Sequence, residues 1–154
     1  MSKIYTDEWY ESVKDAINKS ASTLKEVPKG KWILVIEIVG DGVSPYVDEG
    51  SERHFLVSIE DGKCMWYEEI ELGKSLDVKL NYRFRGNAEV FDSIAAGTLD
   101  PIDAALGGDI KVKGDMRFLL RQADQVQTLL LAYTQNVETE WPLGKPPYVR
   151  KADS

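Results

Sequence analysis

At 154 residues, 43% hydrophobic and 29% charged, the chain has the make-up of one globular domain, a size that buries about 68–70% of its unfolded surface without disulfides or metals. Its formal charge of −7 repels phosphate backbones and anionic headgroups at long range, which argues against nucleic acid and against strong electrostatic docking to an anionic membrane. The single cysteine, Cys64, excludes an intramolecular disulfide, and no apolar run approaches the ~18–20 residues of a membrane span.

Thr6 followed by Asp7 and Glu8 offers an N-cap with acids in the first turn, and Trp9, Val13, Ala16 and Ile17 recur at helical spacing. The spacing predicts an amphipathic helix over about 6–20. Lys31 to Val39 (KWILVIEIV) is short, β-branched and nearly all apolar, the pattern of a strand covered on both faces. Gly40-Asp41-Gly42 turns the chain, and Ser44 to Glu52 reads as a loop.

Asp61-Gly62 lies between two strand-like runs, Arg53 to Glu60 and Lys63 to Leu72, and signals a type I′ hairpin. An unbroken two-residue turn sets Glu60 opposite Lys63, Ile59 opposite Cys64, Val57 opposite Trp66, Phe55 opposite Glu68 and His54 opposite Glu69. That register gathers Phe55, Val57, Ile59, Cys64 and Trp66 on the core face. Leu76, Val78, Leu80, Tyr82 and Phe84 alternate with charged or polar residues, as in a strand with one wet side.

Ala88 to Ala96 reads as a short helix with Gly97 as its C′ residue. Asp100 caps a second short helix that has Pro101 at its first position and Asp103 near its start. Asp109 to Lys113 is a short strand. Met116 to about Asn136 is the longest helix, striped by Met116, Leu119, Leu120, Ala123, Val126 and Leu130. Leu129-Leu130-Leu131-Ala132 is apolar all round, so it is buried or covers something apolar. Residues 138–154 show no regular period and read as an irregular tail.

The residues that invite chemistry all have plainer explanations. His54 opposite a carboxylate is a surface pairing, because no motif places a nucleophile beside it. Cys64 is a small buried thiol. Glu68, Glu69 and Glu71 alternate between faces and form a solvated strip, and Asp100 and Asp103 serve as caps. One histidine and one cysteine do not make a zinc site, and the glycines at 97, 107, 108 and 114 end elements without forming a phosphate cradle. No cofactor, metal or catalytic residue is expected.

The block Phe91 to Met116 (FDSIAAGTLDPIDAALGGDIKVKGDM) places a helix, a Gly, an acid-Pro helix, a Gly pair, an I-x-V-x-G strand and a long final helix in order. This order resembles the sterol carrier protein type-2 family, and with the upstream hairpin and strand the similarity covers roughly residues 31–135. The resemblance implies an α+β fold: a single mixed, mainly antiparallel five-stranded sheet with helices packed on one face, in one domain over 1–154. It also implies non-catalytic binding or carriage of an apolar or lipid-like molecule, such as a sterol or fatty acyl chain, between the sheet and the last helix. The expected ligand-binding residues are Trp66, Phe84, Phe91, Ile94, Leu106, Met116, Leu119, Leu120, Val126 and Leu130. The alternative is a structural or homodimerising interaction module with no ligand, presenting the Leu129 to Tyr133 stretch together with Trp141 and Tyr148. The start lacks a signal-peptide run and Lys151-Ala152-Asp153-Ser154 is not a Ser-Lys-Leu signal, so a cytoplasmic location is expected.

Overall fold

The structure is a computed structural model that describes residues 2–24, 29–70 and 80–148; within its last helix the side chains of 130, 132, 133, 135 and 136 lie outside that description. In chain order the elements are β1 (Ser2–Lys3), α1 (Asp7–Thr23), β2 (Lys31–Val39), β3 (Glu52–Glu60), β4 (Lys63–Ile70) and β5 (Tyr82–Asn87). They continue with α2 (Ala88–Ala95), α3 (Pro101–Leu106), β6 (Ile110–Lys113), α4 (Met116–Arg121), α5 (Ala123–Asn136) and β7 (Thr139–Glu140). Five strands form one sheet in the order β4-β3-β2-β5-β6, antiparallel except for the parallel β2–β5 pair. This is the mixed five-stranded α+β architecture expected above.

Local chemistry accounts for most element ends. The Thr6 hydroxyl accepts from Trp9 N (3.3 Å) at the start of α1, and Asp100 accepts from the N–H groups of Ile102 and Asp103 at the start of α3. The hairpin turn has φ of +50° at Asp61 and +81° at Gly62, as a type I′ turn requires. Gly114 allows β6 to pass into α4: its φ is +144°, and a Cβ there would fall 2.2 Å from the Tyr82 ring.

The α2 N-terminus is capped at a distance. Asn87 gives no side-chain cap; instead Asp41 Oδ2 accepts from Glu89 N (3.0 Å) while Asp41 Oδ1 accepts from Val43 N and Ser44 N. Burial opposes ionisation of this carboxyl, but those backbone donors outweigh it and hold it below its ordinary value.

Three expectations are corrected. A β-bulge between Ser58 and Ile59 of β3 breaks the hairpin register: Ile59 still pairs with Cys64, but Ser58 pairs with Trp66, Val57 with Tyr67, Phe55 with Glu69 and His54 with Ile70. Met65 is the extra residue, and past it every β4 side chain changes face. Trp66 and Glu68 therefore lie on the outer face, opposite the one that holds Phe55. Second, the long helix is divided at Gln122 (φ −101°, ψ 12°) into α4 and α5. Third, the tail contains β7, which pairs in parallel with β1. The residues Leu76 and Val78 of the strand expected through Leu76 to Phe84, and Glu71, lie outside the described residues; the described part of that strand starts at Tyr82.

The outer sheet face is more than a wet surface. Val35 and Leu56 are buried there, and Glu37, only 6% exposed, sits among two arginines and a histidine. Glu37 Oε1 lies 3.4 Å from Arg85 Nη1, and Glu37 Oε2 lies 3.5 Å from Arg83 Nε and 3.7 Å from His54 Nδ1. A buried carboxylate requires such partners. His54 Nε2 meets Glu52 Oε1 at 2.9 Å, and Arg53, in place of the expected His54, bonds Glu69 at 3.0 and 3.3 Å.

Candidate functional site

Strand alternation and the cross-strand register lay out an apolar field on the inner face, the face toward the helices. Its rows run Cys64–Ile59–Trp32, then Val57–Leu34–Tyr82, then Phe55–Ile36–Phe84–Val112, then Ile38–Gly86–Ile110. The pattern KWILVIEIV thus sends Trp32, Leu34, Ile36 and Ile38 inward, and the sheet contributes a continuous aliphatic and aromatic floor.

The helices frame this floor. Asn18 of α1 bonds Cys64 in both directions, donating to its carbonyl (3.1 Å) and accepting from its N–H (2.7 Å), and Tyr67 donates to Glu11 (2.9 Å). These bonds fix α1 over the β4 edge. The Phe118 ring of α4 lies 5.0 Å from that of Trp32, and Tyr82 donates to the Asp115 carbonyl (3.1 Å). Gln127 of α5 bonds Asp100 at the start of α3.

Packing over the floor is uneven. Toward the C-terminal end of β2, Ile38, Phe55, Ala88 and Ala95 close with Ile4, Tyr5, Trp9 and Val47 into a buried cluster rich in aromatic rings. Tyr5 meets Trp9 edge-on at 5.5 Å and Tyr10 meets Phe55 at 4.5 Å. Several polar groups there are matched. Asp92, fully buried, accepts from the hydroxyls of Tyr5 and Tyr148, and Trp9 Nε1 donates to Thr139 (2.9 Å). Burial pushes the Asp92 carboxyl above its ordinary range.

Toward the N-terminal end of β2 the inner-face residues Trp32, Leu34, Val57 and Ile59 are only partly buried, while Cys64 and Tyr82 at the edges of their rows are buried; Phe84 and Val112, level with Ile36, are partly buried too. So are apolar residues of the framing helices: Ile17 of α1, Met116, Phe118 and Leu119 of α4, and Val126 of α5. Side chains at the centre of a close-packed layer are lost to solvent; these keep solvent-accessible surface although they lie between a sheet and helices.

The expected ligand-binding residues separate into groups. Phe84, Phe91 and Ile94 come together, with Ala104 and Ile110, in a second cluster. Met116, Leu119 and Val126 are partly buried along α4 and α5. Leu106 (62% exposed) and Leu120 (52%) are largely in solvent, and Trp66 (39%) is displaced to the outer face by the bulge. The Leu130 side chain lies outside the described ones. Trp32, Leu34, Val57 and Phe118, partly buried on the same interlayer, are not among the expected ligand-binding residues; strict alternation within KWILVIEIV is the signal for the first two.

The chemistry available here is that of apolar contact. Among the described residues no three His, Cys, Asp or Glu side chains are grouped to hold a metal ion. Burial pushes the Cys64 thiol up to about 11, which suppresses its nucleophilic thiolate. A surface cleft of about 440 Å³ lies elsewhere, lined by Lys3, Thr6, Asp7, Glu8 and Glu140 at the start of α1. Among the described residues no helix is long and apolar enough to cross a membrane.

The fold is similar to that in a crystal structure of sterol carrier protein 2: TM-score 0.67 at 14% identity, over 86% of this chain and 98% of that one. It is also similar to the solution structure of a conserved hypothetical protein of Thermus thermophilus described as possibly a sterol carrier protein, with TM-score 0.63 at 18% identity, over 86% and 88% of the two chains. At these identities the likeness is one of fold. No curated protein matches the sequence. The model of the SCP-2 sterol transfer family matches residues 46–127, more than half of the chain, and the protein therefore belongs to that family.

Proposed function

We propose that this protein binds and carries an apolar, lipid-like molecule, without catalysing a reaction on it, in a cavity between the inner face of the sheet and helices α4 and α5. The observation that carries this reading is the set of partly solvent-touched apolar residues, led by Leu34, Val57, Phe84, Val112 and Leu119, that line both sides of the interlayer. Family membership supports it. Each methylene buried there contributes about 0.8 kcal/mol, so a long chain or fused ring system is the guest such a surface favours. Phe91, Ile94, Met116 and Val126, and Leu130 from the sequence pattern, complete the proposed lining.

Native mass spectrometry of protein purified from cells tests this. The expected result is a lipid adduct that is lost on mild denaturation. Protein that emerges empty, and that leaves the fluorescence of a neutral apolar dye such as N-phenyl-1-naphthylamine unchanged, contradicts the reading. A second reading, an interaction module, is favoured by the exposure of Met65 (49%) and Trp66 on the edge strand β4. Light scattering that gives a monomer at micromolar concentration argues against it.

A further inference from the structure

The described tyrosines of the interior direct their hydroxyls to definite acceptors. Tyr5 and Tyr148 donate to Asp92, Tyr46 to the Gly144 carbonyl (2.7 Å), Tyr67 to Glu11 (2.9 Å) and Tyr82 to the Asp115 carbonyl (3.1 Å). Tyr10 departs from this pattern: its hydroxyl oxygen is buried and has no hydrogen-bond partner. A buried donor left unmatched is costly, so a native structure that retains one calls for a specific explanation.

The location supplies one. Tyr10 lies one helical turn before Val13 and two before Ile17 on α1, and its ring packs on Phe55 (4.5 Å) and Tyr67 (5.8 Å) of the sheet. Phe55 precedes Val57 and Ile59 on the inner face of β3. Tyr10 and Val13 pack against the closed aromatic cluster, and Phe55, on which the Tyr10 ring lies, is followed on the inner face by the partly buried Val57 and Ile59, so Tyr10 borders the apolar field from the closed side.

We infer that the Tyr10 hydroxyl is the polar anchor of the guest, donating a hydrogen bond to a neutral oxygen, a hydroxyl or carbonyl, at one end of an otherwise apolar molecule. The inference rests on the proposed carriage function and specifies the class of molecule carried. Burial pushes the Tyr10 phenol well above its ordinary range, so it stays a donor at any physiological pH. The surrounding charges favour a neutral acceptor over a carboxylate. The nearby cation, Arg53, is already committed to Glu69 (3.0 and 3.3 Å) and to the Tyr5 carbonyl (3.1 Å). Glu69 and Asp7 act on Tyr10 as negative charges, and a free carboxylate brought there meets like charge with no unpaired cation to offset it.

The test is a binding cycle with 1-dodecanol, dodecane and laurate, each displacing N-phenyl-1-naphthylamine from the wild type and from Tyr10→Phe at pH 7. Expected is a loss of roughly three- to tenfold in dodecanol affinity on substitution, the size of one net hydrogen bond, with dodecane affinity unchanged and laurate the weaker of the two oxygenated ligands in the wild type. Urea unfolding of the ligand-free proteins is a second readout: Tyr10→Phe is expected to be at least as stable as the wild type, because it removes an unmatched donor. If the dye and all three ligands bind but the substitution affects dodecanol and dodecane alike, or neither, the anchor is wrong and carriage stands. If laurate binds best, the neutral class is wrong. If the wild type binds no dye and no ligand, carriage and anchor fall together. A clear loss of stability in ligand-free Tyr10→Phe overturns the anchor as well, since it identifies a hydroxyl that is already satisfied.

Discussion

The two ends of the layer between sheet and helices are built from similar residues and packed to different standards. At the C-terminal end of β2, Ile38, Phe55, Trp9 and Tyr5 are buried, and the polar atoms among them, such as Trp9 Nε1 and the Asp92 carboxylate, have partners. At the N-terminal end, Trp32, Leu34, Val57 and Ile59 are only partly buried, and the Trp32 ring meets Phe118 of α4. Close packing at one end fixes the relation of α1, α2 and the tail to the sheet. Partial burial at the other leaves apolar surface for the guest proposed above. On the proposed function, one end serves stability and the other binding.

Substitutions are the sharpest way to break this division. Phe55→Ala is expected to cost about 3–5 kcal/mol of stability, the range for removing a buried aromatic ring. Leu119→Ala, at a partly solvent-touched site, is expected to cost about 1 kcal/mol while weakening dye binding. Urea unfolding of both variants reads the contrast; equal costs would mean that the two ends are packed alike.

The closed end is also expected to loosen first in acid. On its outer face the Glu52 carboxyl is held down to about 2, below its ordinary 4.5, first by the hydrogen bonds from Arg85 (2.7 and 2.8 Å) and then by His54. The folded state resists protonation of Glu52 more than the unfolded chain does. The stabilisation is therefore complete above about pH 4.5 and is lost as pH falls toward about 2. Because Arg85 is 41% exposed, solvent screening holds the pair to about 1 kcal/mol. Arg85→Met is expected to remove that much at pH 7 and to flatten the acid limb of a plot of stability against pH. An unchanged acid limb would detach Glu52 from the acid response.

The smallest effect concerns Cys64 at the open end. With its thiol pushed up to about 11 by burial, a thiol reagent at pH 8 is expected to label it slowly in the native protein and rapidly in urea. Fast native labelling would show that this end is open to water-soluble reagents as well as to apolar guests.

The fold was largely legible because its signals are local. Thr6, Asp61-Gly62, and Asp100 with Pro101 each announce an element end through their own chemistry, and Lys31–Val39 was bounded by glycines. What could not be read depends on contacts distant in sequence. The bulge at Met65 leaves no mark in the alternation of β4, yet it carries Trp66 to the other face. The capping of α2 by Asp41 and the pairing of β7 with β1 join segments far apart in the chain. The division at Gln122 interrupts a stripe whose spacing is helical on both sides. For the site, apolar residue types were visible, but the degree of burial was not, since a filled core and a lined cavity require the same side chains. Tyr10 fits the same helical stripe as Val13 and Ile17, and only the three-dimensional packing reveals that its hydroxyl is unmatched.

The most direct test of the central claim is methyl-resolved NMR of the protein titrated with 1-dodecanol. The account predicts saturable shifts at the methyls of Leu34, Val57, Val112, Leu119 and Val126, with those of Ile38, Val47 and Ala88 unmoved. No shift at saturating ligand, or shifts confined to Met65 and its outer-face neighbours, would contradict it.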